Sequence, residues 1–495
     1  MEHRLQTGSG HHAMVIFVFS AMALMSLLLL SQALSSSLVY LGIVSFAVMV
    51  LCCTFTFSLN YPFLNVLLLI FVVMVQYFVI GVGGNWVHSE HSVNELLLLL
   101  TKELVSGIAF AFLLLKKGNA VKLSLSGIAM HEWVILFFLG WVLVSFVLTD
   151  APLNVSLAYI RNFVMLFVLY GIGRIVDLRP GNFKHYFYFL TAAMCALSFF
   201  GLIELTFFTN RFWEEVFHVS RLYMEKTGER YHELVRNGLP LMWYTVLGHF
   251  QPRRLVSFYM EPVNLSYFYV IPASLLFVKT WMSASKKPLL AALLVFNAGA
   301  FLLTFGKGGI LAFAITCCAT VVFLRFPDKA YWKTCGVAAF LVFLAYRGTK
   351  SFISGSADNH FVAIASVFSN VFDYPLGNGI GVGGNYSRVL GGSGVDWLGS
   401  GGESALASMT YQLGIPGLLL MTLFFMGVSF SLYKKAGRVS DPLQRAFAYM
   451  MSAAAFSLFI GSIFQENAFT PHANVLFMLS AGLAVNLVNR EGERA

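Results

Sequence analysis

Long apolar runs alternate with short polar connections along almost the whole chain. A membrane-spanning helix needs roughly 20 predominantly apolar residues, and most of the runs have about that length. The pattern predicts an all-α, polytopic integral membrane protein with about 14 (12–14) transmembrane helices. The predicted spans are 14–31, 37–57, 62–81, 95–115, 129–148, 153–173, 186–208, 262–281, 288–305, 309–325, 333–347, 404–432, 446–464 and 473–488.

The composition excludes most other classes of protein. Hydrophobic residues make up 58% of the 495 residues and charged residues only 11%, whereas a soluble domain carries roughly 25% charged residues. Such a chain cannot cover itself with a water-facing surface, so a soluble enzyme, a disordered protein and a disulfide scaffold are excluded. The net charge of +9 reflects basic residues in short connections, so it indicates membrane topology rather than nucleic-acid binding.

Lysine and arginine are confined to alternate short connections, which predicts the orientation. The connections without Lys or Arg are 32–36, 82–94, 149–152 and 465–472, and the tight 306–308 turn holds only Lys307. Under the positive-inside rule the basic connections face the cytoplasm, and both termini then lie inside. The basic connections fall at 116–122, 174–184, 279–287, 325–333 and 434–445.

Two long connections fall on the predicted outer side, within what the sequence indicates is a single transmembrane domain over 1–495. Loop 1 (209–261) carries aromatic residues among mixed charges, and loop 2 (348–403) is rich in Gly and Asn. Long loops in compact proteins are usually functional or disordered. An enzyme that acts on an external substrate has a use for them, whereas a secondary transporter usually keeps its loops short.

The stretch RRLVSFYMEP (253–262) closes loop 1 and places Arg253 and Arg254 just before an outer span end. Arginine offers a planar fork of donors that suits phosphate. The alternative is that these arginines bind lipid headgroups or Glu261.

The turn TFGKGGIL (304–311) places Lys307 between glycines at a predicted helix start. Free N–H groups and the helix dipole favour an anion there. It is not a Walker A loop, because Gly308 follows Lys307 where Ser or Thr is needed. The alternative is a tight interhelical turn with a solvated lysine.

Loop 2 contains two further motifs. DYPLGNGIGVGGNY (373–386) has the GxGxxG spacing but no surrounding strand, so a dinucleotide site is not predicted. Its glycines are expected to let the backbone turn sharply or approach a sugar chain closely. In GGESALASMTYQLGIPG (401–417), Glu403 lies at a helix start. It is either a dipole partner or cap, or a general base for a sugar hydroxyl.

Four charges lie inside apolar spans: Lys102, Glu103, Arg161 and Glu204. A charge at a helix centre is costly, so a structural pair such as Arg161 with Glu204 is predicted, with a proton or ion path as the alternative. No HExxH motif or comparable cluster is present, and no metal site is expected.

These motifs, in this order, resemble the O-antigen polymerase and O-antigen ligase family of bacterial inner-membrane proteins (Wzy-type polymerases and their relatives). The resemblance covers roughly residues 250–435. The matching pieces are RRLVSFYMEP, TFGKGGIL, PLGNGIGVGG and GGESALASMTYQLGIPG, taken as an ordered set.

The resemblance implies a cofactor-free, metal-independent glycosyltransferase on the periplasmic face of the bacterial inner membrane. Its donor and acceptor would be glycans linked to undecaprenyl diphosphate, and its partners membrane lipid and a chain-length-regulating co-polymerase. Arg254 and Lys307 match the family's two arginines, and Glu403 falls where ligases carry a histidine, which favours a polymerase. The implied catalytic residues are therefore Glu403, Arg254 and Lys307. The substrate-binding residues are Arg253, Glu261, Gly379, Gly381, Gly383, Asn385, Tyr386 and Trp397, with the two aromatics stacking on sugar rings.

Two alternatives remain beside the repeat-unit polymerase. One is an O-antigen ligase, which transfers the glycan to the lipid A core. The other is a secondary transporter or a lipid-linked oligosaccharide flippase, a different class in which an ion gradient would drive turnover.

Overall fold

The computed structural model describes residues 61–87, 129–217, 235–245, 250–283, 287–326, 356–384, 399–402, 404–465 and 469–492, with shorter pieces at 50–57, 105–113, 219, 331–340 and 387. Helices dominate these ranges, and the strands form one two-stranded hairpin. The helices are α1 (Pro62–Val87), α2 (Met130–Val147), α3 (Leu153–Ile175), α4 (Pro180–Phe207), α5 (Asn210–Phe217), α6 (Pro262–Met282), α7 (Lys287–Leu303), α8 (Lys307–Arg325), α9 (Ser356–Ser369), α10 (Ala405–Ala436), α11 (Pro442–Gly461) and α12 (Pro471–Gly492). The strands are β1 (Val235–Arg236) and β2 (Leu239–Pro240).

The predicted fold class is confirmed. Eight of the described helices are long and apolar enough to cross a membrane, so the protein is an all-α, multi-pass membrane protein. Their bounds follow the predicted spans closely: 129–148 is α2, 262–281 is α6 and 473–488 lies inside α12. The predicted span 14–31 lies outside the described residues, as do most of 37–57, 95–115 and 333–347, so the total of about 14 stays a prediction.

Helix starts follow local sequence signals. Proline opens α6, α11 and α12, because its missing N–H would be unsatisfied in the first turn anyway. Asp441 caps α11 by accepting a hydrogen bond from the Gln444 N–H at 2.8 Å. Ser404 caps α10 by accepting from the Ala407 N–H at 3.3 Å.

The described residues form two compact units. Unit 1 contains α1, α5 and the hairpin, and comprises parts of the first 122 residues, 207–241 and 258–260. Phe78 of α1 packs against Phe217 of α5, with ring centroids 5.2 Å apart. The hairpin turns at Asn237 and Gly238, both with positive φ, as this turn type requires.

Unit 2 contains the other helices, and α12 lies at its centre. Every residue of α12 from Pro471 to Val488 is buried. It crosses α3 at a point where Gly173 and Gly482 let the backbones touch, because a Cβ on Gly482 would lie 2.2 Å from the Tyr170 carbonyl oxygen. The assignment of the whole chain to one transmembrane domain stays a prediction.

The two ends of unit 2 differ in chemistry. We call one the basic end, where Arg174 pairs with Glu132 at 2.7 Å and Lys435 bonds Asn489 at 2.7 Å. We call the other the loop end, where α4, α7 and α11 finish and α6, α8 and α10 begin. The helix ends group as the loop charges predict, and which end faces the cytoplasm stays a prediction.

Candidate functional site

Motifs that are far apart in the sequence meet at the loop end of unit 2. The segment 253–257, which we call the RRLVS segment, runs between the ends of α4 and α7, and both of its arginines are half-buried. Hydrogen bonds hold it from three sides: Arg254 N to Trp243 O at 2.7 Å, Leu255 N to Leu303 O at 2.9 Å, Val256 N to Glu204 Oε1 at 2.9 Å, and Ser257 Oγ to Leu197 O at 2.8 Å.

Arg253 is held by a buried carboxylate. Its Nη2 donates to Glu204 Oε2 at 2.6 Å and to the Glu204 carbonyl oxygen at 2.7 Å. The Glu204 side chain is fully buried and that of Arg253 is 12% exposed. The described ion-pair partner of Glu204 is thus Arg253, which the spacing within the spans does not indicate because Arg253 follows Glu204 by 49 residues. The predicted pairing of Glu204 with Arg161 stays a prediction. Arg253 therefore positions the segment, and its role as a substrate ligand stays a prediction.

Arg254 and Lys307 lie on two stretches of backbone that are hydrogen-bonded to each other. The Leu255 N–H is bonded to the Leu303 carbonyl, so Arg254 precedes and Lys307 follows that contact by only a few residues. Both side chains are half-buried. The backbone at Arg254 and the turn that carries Lys307 therefore lie in the same region of the loop end, and the binding of a diphosphate by their side chains stays a prediction.

The turn that carries Lys307 depends on its glycines. A Cβ on Gly306 would lie 2.1 Å from Ser266 Oγ, and one on Gly308 would lie 2.4 Å from Tyr267 Oη. Phe305, just before them, has a φ of 49°, a conformation that costs about 1–3 kcal/mol in a non-glycine residue and is found at functional sites. The tight turn is present, and Lys307 opens α8 as expected.

Glu261 is the residue before the first turn of α6 and is buried. Its carboxylate accepts a hydrogen bond from Asn264 Nδ2, and within the described part of the chain it forms no ion pair. The alternative in which the arginines bind Glu261 is therefore wrong for the described contacts. Its role in substrate binding stays a prediction.

Helix α10 is broken near its loop end. Gly414 has φ 65° and ψ −162°, and Pro416 follows, so the helical hydrogen bonds are interrupted. The carbonyls that this kink frees bond to other elements: Tyr411 O accepts from Asn378 N at 3.0 Å, Gln412 O from Gly379 N at 3.1 Å, and Leu413 O from Trp141 Nε1 at 2.7 Å. The glycine-rich loop (375–384) thereby completes the broken helix.

The predicted sharp turns of this loop are present. Gly377, Gly379 and Gly381 have φ between 86° and 95°, which side chains rarely adopt. A Cβ on Gly377 would lie 2.3 Å from the Gln412 carbonyl oxygen, and one on Gly383 would lie 2.8 Å from Ser400 O. These glycines are required for packing against protein. Contact between a sugar chain and Gly379, Gly381 or Gly383 stays a prediction.

Gln412 is a residue that the sequence analysis missed. Its buried amide accepts from Gly381 N at 2.7 Å and donates to Gly383 O and Ser408 Oγ, both at 3.0 Å. The side chain clamps both halves of the glycine-rich loop onto α10. The sequence signal was present, because GIP at 414–416 marks a helix break whose freed carbonyls need partners.

The residue that caps α10 is Ser404. Glu403 lies outside the described residues, as do Asn385, Tyr386 and Trp397, and their predicted roles stay predictions. Among the described residues no three His, Cys, Asp or Glu side chains are grouped so that they could hold a metal ion.

A cavity of about 200 Å³ lies between α9, the glycine-rich loop and the start of α10. Its described lining carries hydroxyl groups, amides and phenol rings but no charged side chain. The residues that line it are Ser366, Val367, Asn370, Val371, Tyr374, Asn378, Gly399, Thr410 and Tyr411.

The fold and this site define a multi-pass helical membrane protein whose loop end combines cations with a polar cavity, and the described lining of that cavity is uncharged. No protein-family model matches the chain, and no curated protein matches it either.

Proposed function

We propose that the protein is a periplasmic-face glycosyltransferase of the bacterial inner membrane that polymerises undecaprenyl-diphosphate-linked repeat units of a surface polysaccharide. The product would be O-antigen, capsule or exopolysaccharide. Both termini would be cytoplasmic and the loop end would face the periplasm, as the positive-inside rule indicates.

One observation carries this proposal: described residues of all four motifs of the resemblance lie at the same end of unit 2. Leu255 bonds to Leu303, Gly306 packs on Ser266, and the α10 start bonds to the α11 end through Leu406 N and Ser462 O at 3.3 Å. Cationic residues and a neutral cavity at one end suit a substrate with a diphosphate and a sugar chain.

In the proposed reaction, Glu403 accepts the proton of the acceptor's non-reducing-end hydroxyl. The hydroxyl oxygen attacks the anomeric carbon of the donor chain, and the bond from that carbon to the diphosphate oxygen breaks. Undecaprenyl diphosphate leaves with the electron pair. Arg254 and Lys307 stabilise the negative charge that develops on this leaving group.

The structure weighs against the transporter alternative at one point. Broken helices in transporters commonly offer unwound carbonyls to a coupling ion. The three carbonyls at the α10 kink already accept hydrogen bonds from Asn378, Gly379 and Trp141. No described feature separates a ligase from a polymerase, and the preference for a polymerase rests on the sequence, through the Glu at position 403.

The test is deletion in the native host, followed by gel analysis of surface glycans. The proposal predicts loss of high-mass polymer while lipid-linked single units are retained. Full-length polymer on undecaprenyl diphosphate with unsubstituted core would instead establish a ligase. An unchanged glycan profile would reject glycan transfer altogether.

A complemented strain that carries Glu403→Gln tests the proposed base. We expect loss of polymer at a normal protein level, because the amide cannot accept the proton. Full activity at that level would remove Glu403 from the mechanism.

A further inference from the structure

Two asparagines give the cavity beside the α10 kink a definite hydrogen-bonding character. Asn370 Nδ2 donates to the Ser366 carbonyl oxygen at 3.1 Å, and Asn378 Nδ2 donates to the Tyr411 carbonyl oxygen at 3.2 Å. A reversed amide would set two oxygens against each other, so these contacts fix which end of each amide is which.

The other end of each amide is an acceptor. Neither Asn370 Oδ1 nor Asn378 Oδ1 has a hydrogen-bond partner among the described residues. Both residues line the cavity, together with the hydroxyl groups of Ser366 and Tyr374. The lining therefore offers fixed acceptors to a ligand that brings its own donors.

The charge of the described lining and the size of the cavity further restrict the class of ligand. Fixed acceptor oxygens repel carboxylate and phosphate groups, and the described lining has no cation to offset that repulsion. The volume of about 200 Å³ is below the roughly 300–1,000 Å³ of drug-sized sites, which suits one ring rather than a disaccharide. Tyr374 and Tyr411 are the aromatic residues of the described lining.

We infer that this cavity is a subsite for one uncharged, polyhydroxylated sugar ring, and that Asn370 and Asn378 accept hydrogen bonds from its hydroxyl groups. The inference rests on the proposed function for the source of the ring, a sugar of the lipid-linked repeat unit. It adds the class of sugar: a neutral hexose or amino-sugar derivative, and not a uronic acid, occupies this position.

The test is direct binding to the full-length protein in nanodiscs, measured by saturation-transfer NMR. The probes are methyl glycosides of glucose, galactose, mannose, rhamnose and N-acetylglucosamine, with methyl glucuronide and methyl galacturonide as charged counterparts. We expect saturable binding of at least one neutral glycoside, and at least about tenfold weaker binding of the uronates, since one lost hydrogen bond is worth about a factor of ten.

Asn370→Ala and Asn378→Ala should each weaken that binding about tenfold. Asn370 is exposed and directly follows the last residue of α9, so its variant keeps the test decisive if the Asn378 variant does not fold. The matched control is Asn182→Ala at the basic end, where the amide donates to the Asp177 carbonyl at 3.2 Å, and it should leave binding unchanged.

Any of three results would overturn the inference: no neutral glycoside binds, the uronates bind as tightly as the neutral glycosides, or binding is unchanged by both cavity substitutions. If the wild-type protein binds sugar but does not polymerise, and the two cavity substitutions abolish that binding, the subsite is supported and the proposed function is rejected. If the protein polymerises and its sugar binding is unchanged by both substitutions, only the subsite is rejected.

Discussion

The RRLVS segment and the cavity beside the α10 kink lie at the same end of unit 2 but differ in charge. The segment holds charge: a buried carboxylate neutralises Arg253, while Arg254 is the adjacent cation. The described cavity lining contains no charge and orients its two amides by hydrogen bonds to main-chain carbonyls. Under the proposed function, the charged and the uncharged part of one substrate would be bound by separate regions of this end.

The largest effect is expected from Arg253→Ala. This change leaves the fully buried Glu204 carboxylate without the partner that neutralises it, which costs about 3–5 kcal/mol of the free energy of unfolding. Denaturant or thermal unfolding of the purified protein measures the loss. The double variant Arg253→Gln/Glu204→Gln should recover much of the lost stability, because it removes both charges. An Arg253→Ala protein as stable as wild type would show that the pair is not structural.

Arg254→Ala is expected to act chiefly on activity, measured per amount of folded protein. Loss of one group that stabilises the leaving charge typically costs about 100- to 1,000-fold in rate. Polymer formation in a complemented deletion strain measures it, with protein level as the control. Arg254→Lys should be intermediate because it keeps the charge but loses the fork. Wild-type polymer in the alanine variant would exclude Arg254 from the chemistry.

Gln412→Leu should destabilise the neutral region. The change leaves the Gly381 N–H without its acceptor and the Gly383 carbonyl with fewer donors, and each buried group costs about 1–3 kcal/mol when unsatisfied. Gln444→Leu is the matched control, because that buried amide makes one side-chain bond, to Leu178 O at 3.3 Å. Equal losses in the two variants would argue against the clamp.

The smallest effect is expected at Lys307. Lys307→Gln should lower polymer formation about tenfold, which corresponds to about 1.4 kcal/mol, while Lys307→Arg should keep most activity. The exposed Lys434 at the basic end supplies the control, since Lys434→Gln should change nothing. If Lys307→Gln and Lys434→Gln formed the same amount of polymer, Lys307 would have no special role in the reaction.

The helices were predictable because apolar length decides them locally. The predicted span 153–173 lies inside α3, and all but the first residue of 404–432 lies inside α10. A run of that kind has no other stable state in a bilayer. Sequence alone also indicated which motifs share one end, since loop charge alternates with each span.

Partners across helices were not predictable. Glu204 and Arg253 meet because the RRLVS segment folds back onto the end of α4, and no periodicity encodes that return. The pairing of the glycine-rich loop with the carbonyls of Tyr411 and Gln412 likewise depends on the kink at Gly414. The cavity asparagines, spaced like ordinary loop residues, become recognisable only when the carbonyls that orient them are known.

The most direct test of the proposed polymerase activity is reconstitution of the purified protein with lipid-linked repeat units in vesicles, with EDTA present and no ion gradient. A polymerase should yield a ladder of longer lipid-linked glycans together with one released undecaprenyl diphosphate for each unit added, both abolished by Arg254→Ala. Translocation of intact units without chain growth, or turnover that requires an ion gradient, would contradict it.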